Sequence, residues 1–355
     1  MSGAAPERTA LVTGTSALVS GATGFFGGHL AAALVARGYR VRALARTTSD
    51  VGRLAALGVE IVRGDLGDPD SLRRAAEGQR LVFHTAGKVS DWGERRDFFR
   101  ANEGGTANVI AACQRAGVER LLHVSSLTVL GLPRDGRTVD ERSPYGSRAR
   151  DAYSASKIAG EKLARAAHGV KGLAVTVVRP GVIWGPGDTT IIPRFAALLR
   201  RGAFVLTDGG RNLIGMSHVA NLAAGAMLAA ESPAAAGQIY HLTDGEELTA
   251  RDAITALAAA IGTPPPRLSL PFWAVLGAAG VLEVAAKLTG SRQPPAMTRY
   301  GVRLVSCHCR YDLAKARREL GYAPRVGFRQ GIAELAADPT LGSGDIGGSP
   351  GTADG

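Results

Sequence analysis

Short runs of Val, Ile, Leu and Ala alternate with longer amphipathic stretches through the first half of the chain, and each apolar run is continuous rather than every second residue. Strands buried by helices on both faces read in this way. The pattern predicts strands at 16–20, 40–45, 60–62, 81–83, 121–124 and 174–178, with helices at 25–36, 71–76, 105–116 and 152–168 between them. Such alternation builds an α/β fold, a Rossmann-type doubly wound parallel sheet. Beyond about residue 180 it loosens into the loop "RPGVIWGPGD", helices at 191–201 and 219–230, a return strand in "GQIYHLTD", and helices at 253–261, 273–288 and 313–320. The expected organisation is an N-terminal extension at 1–15, a dinucleotide-binding core at 16–180, a smaller mixed substrate-binding segment at 181–335 and a Gly-rich disordered tail at 336–355. A near-repeat sets the first boundary: "ALVTGTS" is followed by "ALVSGAT", and only the second copy runs into spaced glycines.

With 45% hydrophobic and 21% charged residues over 355 positions, the chain can bury a large core, which excludes disorder as its main state. The net charge of +11 favours anionic company. The basic residues are nevertheless scattered and aromatics make only 5%, so no nucleic-acid partner is expected. Three cysteines cannot make a disulfide framework, and no cationic segment followed by a long apolar run opens the chain; a cytoplasmic location is expected. Cys113 reads as a small core residue. Cys307 and Cys309 flank His308 in a strand-like stretch with both thiols on one face, and without further ligands no metal site is expected. The most apolar stretch, 270–282, is too short to span a bilayer, which leaves pocket lining or peripheral membrane contact as its roles.

Gly21, Gly24 and Gly27 form G-x-x-G-x-x-G between a predicted strand and a predicted helix. Glycine there permits a tight turn and lets backbone approach a pyrophosphate seated on the helix N-terminus. Thr23, Phe25 and Phe26 of the same loop are counted with the cofactor site. At the end of the second strand, where an NAD enzyme tends to place an acid for the ribose, "VRALARTTSD" has none before Asp50 and offers Arg46 instead. A guanidinium suits a 2′-phosphate, so NADP(H) is preferred over NAD(H).

"YSASK" sets Tyr153 and Lys157 four apart on one helix face. An ammonium about 5 Å from a phenol, at an effective dielectric of ~20, favours the phenolate by ~3 kcal/mol and lowers a pKa near 10 by about two. "HVSSLTVLG" brings Ser125 and Ser126 to the end of a strand, where a serine can hydrogen-bond a substrate oxygen held by Tyr153. Asn102 opens the helix between; a helix cap is its competing role.

In these motifs the chain resembles the extended short-chain dehydrogenase/reductase family over residues 16–335. The matching pieces are "SGATGFFGGHL", "RGDLGDPDSL", "VFHTAG", "NEGGTANVI", "VSSLTVLG", "YSASKIAGEKLA" and "VRPGVIWGPGD". The resemblance implies Tyr153 as acid/base, Lys157 on the nicotinamide ribose and Tyr153, Ser126 on the substrate oxygen, and Asn102 among the catalytic set. It also implies Asp65 and Leu66 at the adenine, His84, Thr85, Ala86 and Gly87 along the middle of the cofactor, Pro180, Gly181 and Val182 at the nicotinamide, and a homodimer.

Sugar-nucleotide epimerases and dehydratases of this family grip a phosphate with an Arg where "LIGMSHVANLAAGAML" has Ile214, which counts against that class. The remainder is similar to the 3β-hydroxysteroid dehydrogenase branch and to 2-alkyl-3-oxoalkanoate reductases of bacterial olefin synthesis. That likeness implies an enzyme interconverting a secondary alcohol and a ketone on a bulky hydrophobic substrate. Lys88, Trp92 and Trp184 are then substrate contacts, and Phe272 and Trp273 either join the apolar wall or pack in the core. A non-catalytic NADP(H)-binding sensor is the third reading; such proteins often lack the Tyr–Lys pair, which this chain keeps.

Overall fold

The computed structural model describes residues 14–146, 151–291 and 293–342. Its frame is a seven-stranded, all-parallel sheet of β1 (Ser16–Ser20), β2 (Arg40–Ala45), β3 (Glu60–Arg63), β4 (Leu81–His84), β5 (Arg120–Val124), β6 (Ala174–Pro180) and β7 (Ile239–Leu242). The strand order is β7-β6-β5-β4-β1-β2-β3. The order reverses between β1 and β4, which opens the crevice where doubly wound sheets bind their ligands.

Helices α1 (Phe25–Ala36), α2 (Pro69–Ala76), α3 (Gly105–Ala116), α4 (Ala152–Ala166) and α5 (Val219–Glu231) cover this sheet. Ala17, Val19 and Phe83 pack with Leu30 and Leu34 of α1 and with Leu222 and Ala226 of α5. Leu18 and Val82 turn to the other face and meet Leu72 of α2, Val109 of α3 and Ala164 of α4. Consecutive strand residues are thus buried on opposite faces, the physical origin of the unbroken apolar runs. The chain continues through α6 (Phe272–Leu288), α7 (Arg299–Val305) and α8 (Phe328–Ala336).

The return strand expected in "GQIYHLTD" is β7, which hydrogen-bonds to β6 and completes the sheet. Two expectations change. Order runs past residue 336: a helical turn at Pro339–Gly342 follows, Leu341 is buried, and Asp338 accepts a hydrogen bond from Gly187 N at 2.6 Å. Residues 1–13 of the N-terminal extension and the rest of the tail at 343–355 lie outside the described residues. Cys307 and Cys309 sit in irregular backbone before a two-residue strand at Arg310–Tyr311, where both thiols are buried with their sulfurs 3.6 Å apart.

Glu161 on α4 and Arg179 on β6 form an ion pair whose side chains are 0% and 2% exposed, and Glu161 also accepts hydrogen bonds from Ser125 and Tyr145. Removing one partner strands the other charge in the core. Arg179→Leu is expected to lower stability by ~3–5 kcal/mol, read from urea midpoints at unchanged slope. Removing both charges in Arg179→Met/Glu161→Leu is expected to recover part of the loss; a double variant less stable than the single one would contradict this account.

Candidate active site

Four segments meet at the carboxyl edge of the sheet. Gly21 follows β1, Thr85 follows β4, Ser125 follows β5, and Pro180 ends β6. Gly21 has φ of +80°, and a Cβ there would fall 2.7 Å from Ala86 N. A Cβ on Gly27 would fall 2.1 Å from Gly21 O, so both glycines are fixed by the chain's own packing. Gly24 is different: a Cβ would meet only Gly21 O at 3.3 Å. It is exposed and caps α1 without a side-chain oxygen, and the first turn of α1 carries no acid. An open helix N-terminus with a bare backbone cradle fits the pyrophosphate of a dinucleotide. Thr23 is exposed at the same turn and Phe25 stands edge-on to His29, whereas the Phe26 side chain lies in the core, so only its backbone can face a ligand.

At the tip of β2 Arg46 is half-buried, and Arg63, at the end of β3, donates to the carbonyls of Arg46 and Ser49 at 2.6 and 3.2 Å. The sequence reading missed Arg63, because only the pairing of Ala45 with Arg63 across β2 and β3 brings the two arginines together. The first acid after β2, Asp50, accepts from Gly52 N at 2.9 Å as a local turn. Asp65 likewise accepts from Gly67 N, and Leu66 O accepts from Asn108 Nδ2 at 2.8 Å.

His84 proves structural at its side chain. The ring is fully buried between Ser20 Oγ (2.8 Å) and Thr106 Oγ1 (3.1 Å), and burial, reinforced by the charge of Lys157, pushes its pKa down to about 3. Thr85 donates its hydroxyl to Ser20 O, which fixes the turn holding Ala86 and Gly87 against the glycine loop. Asn102 does not open a helix. The chain is already helical from Arg95 and makes a π turn at Arg100–Gly104 before α3. The Asn102 side chain accepts from Lys88 N at 2.7 Å and donates to Lys88 O and Ser156 Oγ. It joins the Gly87–Lys88 turn to the Tyr153 helix and touches no reacting group, which makes it a positioning residue. A π turn at a functional site is a recurrent device.

Helix α4 starts where Asp151 accepts from Ser154 N at 2.7 Å. One turn further, Lys157 Nζ donates to Val124 O at 2.7 Å. Ser126 acts on the Tyr153 phenol, lowering its pKa, and its Oγ accepts from Thr128 N and Thr128 Oγ1 at 3.2 and 3.1 Å. Ser126 rather than Ser125 therefore faces the phenol; Ser125 is tied to Glu161 behind it. Tyr300 of α7 packs edge-on against Tyr153, ring centroids 5.8 Å apart, and hydrogen-bonds Thr128. Nothing in the sequence reading pointed to Tyr300, which no local motif marks.

The expected electrostatics are reversed. Burial pushes the Tyr153 phenol up to about 12, the Ser126 bond opposes that rise, and Asp151 adds to it. The lowering foreseen from Lys157 is not found among the chain's own groups. Instead burial brings Lys157 itself down to about 8, with Glu161 pulling the other way.

Of the substrate contacts, Trp184 is corrected. It is fully buried, donates Nε1–H to Asp244 and packs against His218 and Phe328, so it is core. Trp92 is half-buried and donates to Ser291 O at 3.2 Å, and Lys88 Nζ stands 5.6 Å from the Phe98 ring centre. Phe272 packs against Val275, Ala279 and Val302 beneath the Arg134 guanidinium, the core role of its two, whereas Trp273 is 75% exposed. Gly181 and Val182 stay at the sheet edge, where a Cβ on Gly181 would fall 2.3 Å from Gly215 O.

A glycine cradle at the switch point and a Ser–Tyr–Lys cluster beside it define a dinucleotide-dependent oxidoreductase. Residues 17–242 match the NAD dependent epimerase/dehydratase family, and the chain belongs to it. It is 35% identical over 327 residues to a 2-alkyl-3-oxoalkanoate reductase of Stenotrophomonas maltophilia (strain K279a), covering 90% of this chain and 98% of that one. It is 37% identical to the 4-hydroxy-2-methyl-3-oxo-4-farnesyl-3,4-dihydroquinoline-1-oxide ketoreductase of Stigmatella aurantiaca, covering 92% and 97%. Its relatives also include 3β-hydroxysteroid dehydrogenases. Among solved structures, a dTDP-glucose 4,6-dehydratase of Streptomyces venezuelae with NAD bound superposes with a TM-score of 0.72 at 27% identity, covering 90% of this chain and 95% of that one.

The buried ammonium sets a stability signature. Its pKa in the fold is about 8 against an ordinary 10.5, so the cost of burying the charge is complete below pH 8, fades between 8 and 10.5 and is absent above. Lys157→Met is therefore expected to be more stable than the parent at pH 7 by ~2–3 kcal/mol, with the gap closing near pH 10.5. Urea melts at the two pH values check this, and a variant less stable at pH 7 would refute it.

Proposed function

We propose that the protein is an NADP(H)-preferring reductase that converts a ketone on a bulky hydrophobic molecule, of the long-chain β-keto acid or 3-oxosteroid kind, to the secondary alcohol. The observation that carries this reading is the pairing of Ser126 with the buried Tyr153 phenol at the sheet edge, with Lys157 one helical turn beyond and fixed to Val124 O. Bound nicotinamide supplies the hydride. Tyr153, a phenol at about 12, is protonated at neutral pH and donates to the carbonyl oxygen, which suits the reductive direction. Ser126, its own oxygen already accepting from Thr128, keeps its proton to hold the same carbonyl oxygen. Lys157, fixed to Val124 O, would hold the ribose of a bound dinucleotide and place a positive charge near the phenolate left when Tyr153 gives up its proton.

The preference for NADP(H) is supported by Arg46 and Arg63 at adjoining strand ends and by the engagement of Asp50 in its own turn. The hydrophobic substrate is supported by the relatives' substrates and by Ile214 where a phosphate clamp would stand. The family likeness adds a homodimer through paired helices such as α3 and α4, and the apolar stretch at 270–282 adds a peripheral membrane contact.

Tyr153→Phe is expected to retain NADPH affinity and lose roughly 10²–10⁴ of turnover on long-chain β-keto or steroid ketones, followed as loss of nicotinamide absorbance. Arg46→Ala is expected to weaken NADPH binding roughly tenfold or more while sparing NADH. Full turnover in Tyr153→Phe would end the mechanism, and equal NADPH affinity in Arg46→Ala would end the cofactor preference.

A further inference from the structure

Helix α6 is apolar on both faces, but only one is covered. Val275, Ala279 and Glu283 face inward, and the first two pack with Val302 of α7. Glu283, the sole acid between residues 267 and 291, is buried and accepts from Arg299 N and Nε at 2.6 and 2.7 Å. The outer face carries Trp273, Val281, Val284 and Leu288, exposed by 75%, 69%, 56% and 84%. With Gly277 between them these fall at intervals of three and four, a straight stripe ~22 Å long. Leu268 and Leu270 extend it beyond the helix start. Exposed Arg267 and Lys287 stand at its two ends.

An apolar stripe this exposed needs an occupant. Pairing with a second copy about a two-fold axis perpendicular to this helix would set Arg267 of one chain near Lys287 of the other, with no exposed carboxylate on the stretch to offset them. A surface that is apolar below and anionic above matches both features: the boundary between headgroups and acyl chains takes the stripe and the aromatic ring, and acidic headgroups take the cations. No helix among the described residues is long and apolar enough to cross a membrane, so the contact is in-plane.

We propose that the outer face of α6 seats on an anionic lipid bilayer and holds the active-site mouth at the membrane surface. The placement follows from the packing: α6 lies on α7, whose Tyr300 stands against Tyr153, and Trp92 meets Ser291 just past the end of α6. In naming where a hydrophobic ketone is collected, the proposal rests on the reductase reading above.

The test is flotation of the full chain with vesicles of phosphatidylcholine alone and of phosphatidylcholine with phosphatidylglycerol, together with tryptophan emission. Flotation is expected with the anionic vesicles, with a blue shift that disappears in Trp273→Phe and persists in Trp92→Phe; Trp184 is already fully buried and cannot supply it. Val281→Glu/Leu288→Glu is expected to weaken binding at least roughly tenfold, and Arg267→Gln or Lys287→Gln roughly fivefold each. The exposed substitutions should leave the melting temperature unchanged. Absence of flotation, undiminished flotation of Val281→Glu/Leu288→Glu, or a dimer in light scattering that this double variant converts to monomer would overturn the proposal. Reduction of a water-soluble ketone without vesicles is measured in parallel. Its absence in the parent chain would sink the reductase reading and leave the flotation result standing.

Discussion

The carboxylate of Glu161 is the constraint on which the catalytic edge depends. It lies two helical turns beyond Tyr153 and one beyond Lys157, fully buried, and binds Arg179 of β6, Ser125 at the end of β5 and Tyr145. One side chain therefore fixes helix α4 against two strands and sets Ser126, the next residue, on the phenol. A buried charge is costly, and it survives here because every neighbour is a donor. The fold thus carries an ionic network at a place where apolar packing could not specify which residue of α4 faces which strand end.

Burial does the opposite work on the functional groups. Tyr153 rises and Lys157 falls because both lie beneath the surface, so the site holds its proton on the phenol and holds the lysine's proton loosely. The estimate from sequence treated the pair as an isolated phenol and ammonium in a uniform medium. It left out desolvation, which depends on how α7 and the edge of β5 close over the helix.

The parts of this arrangement legible in the sequence are those encoded within one element. Continuous apolar runs located the first six strands, and Gly21 and Gly27 located a turn whose backbone contacts exclude a Cβ. Tyr153 and Lys157 share a face because a helix repeats every 3.6 residues. The parts that were hidden depend on distant residues meeting. Arg63 reaches Arg46 only through strand pairing, and Tyr300 reaches Tyr153 across some 150 residues of chain. Trp184 lies in the core and was hidden for a related reason: an aromatic in a Pro/Gly-rich stretch reads the same whether the tertiary fold buries it or not. Asn102 was placed at a helix start because a π turn leaves no mark in a hydropathy pattern.

Gly181, Gly215 and Tyr311 show what such remote meetings impose on the chain's future. A methyl group on Gly181 would strike the carbonyl of Gly215, and one on Gly215 would strike the ring of Tyr311 at 2.4 Å. Three stretches far apart in the gene are stacked backbone on backbone on ring, with no slack between layers. A crossover between relatives that falls between residues 181 and 311 would take these layers from two parents, so specificity in this scaffold is freer to drift by single replacements at the rim, or by exchange of the carboxyl-terminal half as one piece, than by crossovers inside that half.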